Sequence, residues 1–192
     1  CSVRAVVGAG TMGGGVARLA SQAGCLVEVF DPDAAALGSA RAALDEVFRM
    51  LHGKGRLAEE PDTVSRRIGF HTELRDLAAA DWVLEAAPED LALKQDLFKR
   101  ATEACPNARL ATNTSTLSVT SIASASGRPA DLIGIHFFNP APLMRLVEVV
   151  PGAATHPSVT EAAVELARRL GRTPVVAQDR PGFIVNRVAR PY

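Results

Sequence analysis

The stretch Gly8-Ala9-Gly10-Thr11-Met12-Gly13 lies between a short apolar run, residues 3–7, and residues 11–23, which carry apolar side chains at helical spacing. A glycine at 8 permits a tight turn, one at 10 lets the backbone approach a ligand with no side chain between them, and one at 13 allows the helix to pack closely on the strand. A helix that begins here offers unpaired N–H groups and the positive end of its dipole to phosphate groups. Gly8, Gly10, Thr11 and Gly13 are thereby candidate cofactor contacts. Glycines in a strand-to-helix turn also occur simply to make the turn, so the residues beyond the helix decide between the two readings.

Beyond it lies a second apolar run, residues 26–30, which closes a strand–helix–strand unit and ends on Asp31. A carboxylate at that point accepts both hydroxyls of an adenosine ribose and repels a 2′-phosphate, which favours NAD over NADP. The competing reading is that the Asp31-Pro32-Asp33 string caps the next helix, and Asp33 is the residue assigned that role.

Outward from this unit, residues 34–51 read as a long helix with Leu37, Leu44, Val47, Phe48 and Leu51 on one face. Residues 58–72 read as irregular or weakly helical and 73–79 as a short helix. Strands are expected at 82–86, 109–112, 132–137, 145–150 and 173–177, and helices at 89–104, 117–125 and 183–189. This alternation predicts an α/β, Rossmann-type doubly wound fold, a mostly parallel sheet with helices on both faces and ligands beyond the carboxyl ends of its strands. Residues 1–181 are read as one domain, and 182–192 as the start of a helix leading onward. The missing initial methionine and the end within a helical pattern read as cuts.

Lysine plus arginine number 21 and aspartate plus glutamate 21, so no global field draws the chain to nucleic acid or an anionic membrane, and a small-molecule partner is expected. No apolar stretch is long enough to span a bilayer. The three cysteines, Cys1, Cys25 and Cys105, are odd in number and lack a CxxC spacing, which argues against a disulfide framework or a metal site. A reducing, cytoplasmic setting is the expectation.

His136, in His136-Phe137-Phe138-Asn139-Pro140, is followed by Glu148 within an apolar run. An imidazole whose tautomer is held by a carboxylate suits removal of a hydroxyl proton during hydride transfer. A cofactor site and a proton-transfer pair together indicate a dehydrogenase. His52, His71 and His156 sit in polar or turn-like contexts and are assigned no function. Phe137 and Phe138 are read as wall and core.

Five ordered motifs carry a resemblance across essentially the whole chain: the glycine stretch, Asn113-Thr114-Ser115, the His136 to Pro140 string, Leu146-Val147-Glu148-Val149, and Asp179-Arg180-Pro181-Gly182-Phe183-Ile184-Val185-Asn186-Arg187. Together they resemble the 3-hydroxyacyl-CoA dehydrogenase family. The resemblance implies His136 as general base and Glu148 as its partner, with Ser115 and Asn186 hydrogen-bonding the reacting oxygen or nicotinamide. It places NAD contacts on Met12, Asp31, Ala87, Glu89, Lys94, Ser115 and Asn139, and substrate contacts on Ser115 and on Lys54, near the CoA phosphates.

The implied reaction is reversible, NAD-dependent oxidation of an L-3-hydroxyacyl-CoA to its 3-ketoacyl form, within fatty-acid β-oxidation or related acyl-CoA metabolism. The family's helical C-terminal domain, which commonly makes a homodimer contact, is absent from this sequence, so low activity of these residues alone is expected. The alternatives are a dehydrogenase of a free hydroxy acid, such as a sugar acid, and a non-catalytic NAD-binding relative.

Overall fold

The computed structural model describes residues 4–189; the expectations placed on Cys1, Val3 and residues 190–192 lie outside them. The strands are β1 (Arg4–Val7), β2 (Val27–Phe30), β3 (Ile68–His71), β4 (Trp82–Glu85), β5 (Arg109–Thr112), β6 (Leu132–Phe137), β7 (Leu146–Pro151) and β8 (Thr173–Val176). They form one sheet in the order β3-β2-β1-β4-β5-β6-β7-β8. The helices are α1 (Thr11–Gln22), α2 (Ala34–Gly53), α3 (Pro61–Ser65), α4 (Leu91–Ala104), α5 (Val119–Ala123), α6 (Pro157–Arg169) and α7 (Val185–Ala189).

Side chains alternate across a strand, so β1 sends Val6 to one face and Ala5 and Val7 to the other. Val6 joins a core with Val29, Phe48, Ile135 and Leu166, built against α1, α2 and α6. Ala5 and Val7 join Val83, Phe98, Leu110 and Ile122, built against α4 and α5. Burying Phe48 or Phe98 contributes roughly 2–3 kcal/mol each. Both faces are covered, which is why the inner strands read as continuous apolar runs.

Strands β1 to β6 pair in parallel, while β7 runs antiparallel to β6. The reversal follows from chain length: the short connection over residues 138–145 has no room for the crossover a parallel neighbour needs. Strand β8 then pairs parallel to β7 and forms an exposed edge.

Several boundaries differ from the sequence reading. Residues 58–72 contain α3 and strand β3, of which only Ile68 is buried. A four-residue edge strand with one buried side chain carries too little alternation to register as a period. The short helix read at 73–79 is a 3-10 turn over Leu74–Leu77. Helix α6 went unread, although Pro157 at its first turn, Val159, Ala163, Leu166 and Ala167 on one face, and Arg168 and Arg169 in its last turn are ordinary helix signals. Asp33 caps α2, its carboxylate accepting from the Ala35 N–H at 2.8 Å.

Candidate active site

The strand order turns back between β1 and β4, and the crevice at their carboxyl ends is where an open α/β sheet binds its ligand. A largely apolar cleft of about 1070 Å³ opens there. Gly8, Gly10, Thr11 and Met12 form its floor, with Asp31 and Ala36 on one side and Ala87 and Asn139 on the other. Of the sequence-derived cofactor residues, Gly13, Glu89, Lys94 and Ser115 are not among those that line the cleft.

Gly8 has φ +108°, a conformation L residues avoid, and a Cβ there would come 2.9 Å from the Ala86 carbonyl oxygen. A Cβ on Gly10 would meet nothing within 4 Å. Its openness is space for a ligand. Asp31 accepts from the Ala9 N–H at 2.9 Å and from the Asp33 N–H at 3.0 Å, so its carboxylate ties the glycine loop to the end of β2. Each oxygen keeps acceptor capacity for a further donor, as a ribose diol requires. The donor set and the open backbone therefore fit a dinucleotide.

Behind the cleft lies a polar network centred on Glu85, which the sequence reading missed. Its Oε1 accepts from Lys94 Nζ at 2.5 Å and from the Ala87 N–H at 2.6 Å, and its Oε2 accepts from Thr112 Oγ1 at 2.7 Å. Lys94 also donates to the Ala87 carbonyl at 3.1 Å and lies 3.4 Å from Glu89. Lys94 and Glu85 are each 1% exposed, so the lysine is no solvated side chain. It is a buried cation held by the wall. The clue in the sequence was a carboxylate closing an apolar strand, Trp82-Val83-Leu84-Glu85.

Glu89 organises the turn that carries Ser115. One of its oxygens accepts from Thr114 Oγ1 at 2.5 Å, the Ser115 N–H at 2.9 Å and the Thr116 N–H at 3.0 Å. Burial pushes this carboxyl up, but the Thr114 hydroxyl, the backbone donors and the Lys94 charge outweigh it and lower its pKa to about 2.

The strand register places His136 directly across from Glu148. Side chains opposite one another project from the same face, and His136 Nδ1 lies 2.8 Å from Glu148 Oε2. A carboxylate only accepts, so Nδ1 carries the proton and Nε2 presents the lone pair. Glu148 is fully buried, and its second oxygen accepts from the N–H groups of Ile184 and Val185, each at 2.9 Å. These donors have no side-chain signature and were invisible in the sequence. Phe138 and Phe183 pack their rings on the imidazole at 4.4 and 5.8 Å between centroids, while Phe137 is core.

Phe183 has φ +46°, which for a non-glycine residue stores about 1–3 kcal/mol. It follows Gly182, at φ +73°, in the turn leading into α7. Asn186, on α7, donates its side-chain amide to the Ser115 carbonyl at 3.3 Å. The fold thus gathers His136, Glu148, Ser115 and Asn186 into one region. Lys54 is not brought there: it is the exposed C-terminal cap of α2. His71 pairs with Glu28, and His156 caps α6. Among the described residues no cluster suits a metal ion, and no helix is long and apolar enough to cross a membrane.

The family description "3-hydroxyacyl-CoA dehydrogenase, NAD binding domain" matches residues 3–180. A probable 3-hydroxybutyryl-CoA dehydrogenase of Deinococcus radiodurans is 44% identical over 187 residues, covering 97% of the chain and 67% of that protein. The 3-hydroxyadipyl-CoA dehydrogenase of Escherichia coli is 46% identical over 193 residues, covering 98% of the chain and 40% of that protein. The crystal structure of an Escherichia coli 3-hydroxybutyryl-CoA dehydrogenase superposes with a TM-score of 0.96 at 44% identity, over 100% of the chain and 41% of the solved one. The chain therefore spans from two fifths to two thirds of the length of these relatives.

Proposed function

The chain belongs to the 3-hydroxyacyl-CoA dehydrogenase family through its NAD-binding domain, and we propose that it supplies the cofactor cleft and proton-transfer pair for reversible oxidation of an L-3-hydroxyacyl-CoA to the 3-ketoacyl-CoA. The observation that carries this reading is the buried Glu148 carboxylate, held by two backbone N–H groups and bonded to His136 Nδ1 at 2.8 Å. In the oxidative direction Nε2 takes the hydroxyl proton, and Glu148 steadies the imidazolium that forms. NAD, when bound, supplies the hydride acceptor.

The glycine loop and Asp31 hold the pyrophosphate and ribose of the cofactor, with Met12, Ala87 and Asn139 along its length. Glu89 and Lys94 shape the wall that faces it. Ser115 and Asn186 position the reacting oxygen and the nicotinamide, and the Phe138 and Phe183 rings shield the proton transfer from water. Lys54 is assigned to the CoA phosphates on its charge and family position alone.

On the same reading, residues 1–181 form the NAD-binding unit and 182–192 open the connection to a helical domain that completes the substrate cleft and makes a homodimer. The chain works in the cytoplasm, in fatty-acid or related acyl-CoA metabolism.

Calorimetric titration with NADH and NADPH, followed by acetoacetyl-CoA-dependent NADH oxidation at 340 nm, tests the proposal. NADH-selective binding with thioester reduction, in this chain or in a version extended by the helical domain, supports it. NADH binding with no reduction in either version overturns it in favour of a free hydroxy acid substrate or a non-catalytic role.

A further inference from the structure

Asp179 accepts four hydrogen bonds: from the Val119 N–H at 2.9 Å, the Thr120 N–H at 2.8 Å, Thr120 Oγ1 at 2.6 Å and Ser118 Oγ at 2.9 Å. It thereby caps α5, a helix some sixty residues earlier in the chain. Burial raises its pKa, but the Thr120, Val119 and Ser118 donors outweigh this and lower it. The residues immediately after it are the Arg180–Phe183 turn, closed by Phe183 N–H to the Arg180 carbonyl at 2.9 Å. That turn carries the left-handed Gly182 and Phe183, and it delivers the Ile184 and Val185 N–H groups to Glu148 and the Phe183 ring to His136.

A turn with a phenylalanine at φ +46° keeps its shape only when both ends are pinned. The far end is pinned by Glu148 itself. The near end is pinned by Asp179 and by the Ala177 N–H to the Val149 carbonyl at 2.9 Å. We propose that Asp179 is a positioning residue for the His136–Glu148 pair, acting through the Arg180–Phe183 turn, rather than only a cap for α5. Without it the turn relaxes, Glu148 loses its two backbone donors, and its carboxylate is no longer aimed at Nδ1. The inference rests on reading His136 and Glu148 as the proton-transfer pair, but its test uses no turnover, so the two fail separately.

The test is NMR on the isotope-labelled chain, following the His136 Nδ1–H proton and the exchange of the Ile184 and Val185 amides. Asp179→Asn is expected to broaden or shift the Nδ1–H resonance and to speed exchange at Ile184 and Val185 by about tenfold or more. Asp33→Ala, which removes the cap bond of α2 and touches neither Asp179 nor the turn, is expected to leave both unchanged. If Asp179→Asn merely lowers Tm as Asp33→Ala does, with the resonance and both amides as in the unmodified chain, the proposal is wrong. Should Asp179→Asn fail to fold, the unmodified chain decides. Val119, Thr120, Ile184 and Val185 amides opening together support a single unit, whereas Ile184 and Val185 exchanging about tenfold faster than Val119 and Thr120 overturn it.

Discussion

Gly13 packs against Gly8: a Cβ added to Gly13 would clash with the Gly8 carbonyl oxygen. The glycines of this loop thus have separate physical jobs, because Gly10 faces open space. Gly13→Ala should destabilise the fold by about 1–3 kcal/mol through overpacking, read as a lower urea midpoint. Gly10→Ala should leave that midpoint unchanged and weaken NADH binding in calorimetry. Unchanged NADH affinity in Gly10→Ala would remove the loop from the cofactor site.

His136→Ala should reduce acetoacetyl-CoA-dependent NADH oxidation by about 10²–10⁴-fold, with NADH affinity nearly intact, because in the proposed mechanism the imidazole moves a proton and holds no cofactor. Glu148→Gln should also cost turnover, since an amide can present N–H to Nδ1 and favour the other tautomer. Steady-state kinetics in an active form of the protein checks both. Equal loss of NADH affinity and rate in His136→Ala would reassign the residue to binding.

Lys94→Met should destabilise the chain by about 3–5 kcal/mol, because it leaves Glu85 as a buried, uncompensated charge. Pairing it with Glu85→Gln should recover part of that loss, since the remaining amide still serves Thr112 or Ala87. Denaturant melts of the single and double variants measure the coupling. Additive losses would mean that the pair is not one unit.

The low pKa of Glu89, about 2 against a usual 4.5, sets a pH window. A carboxyl depressed by folding stabilises the native state fully above the unfolded value, and that contribution is lost as pH falls through the folded one. Stability should decline from about pH 5 toward pH 2, with Glu89 responsible for on the order of 1–2 kcal/mol after allowance for solvent screening of a partly exposed group. Glu89→Gln should flatten this acid dependence and free the turn at residues 114–116. An acid profile identical to that of the unmodified chain would show that other carboxylates carry it.

Much of the fold was legible because inner strands and long helices repeat a local pattern. The runs around β1, β2 and β6 are apolar because helices cover both faces, and Asp33 announced the start of α2. Strand β3 was hidden because an edge strand buries one residue in four. Glu85 was hidden because a lone carboxylate in an apolar run signals burial without naming its partner, which lies on α4.

By itself the sequence determined the glycine turn between β1 and α1, the alternation of strands and helices, and the residue types of the His136–Glu148 pair, since each is written in side-chain identity at short spacing. Only the tertiary structure decided that β6 and β7 pair in the register that sets those two residues face to face. It alone directed two backbone N–H groups from residues 184–185 onto Glu148 and enclosed Lys94 behind the cleft. The physical reason is that nearly every residue carries the same backbone donor and acceptor. A hydrogen bond to the main chain leaves no mark on residue type, and long-range register appears only when the chain is folded.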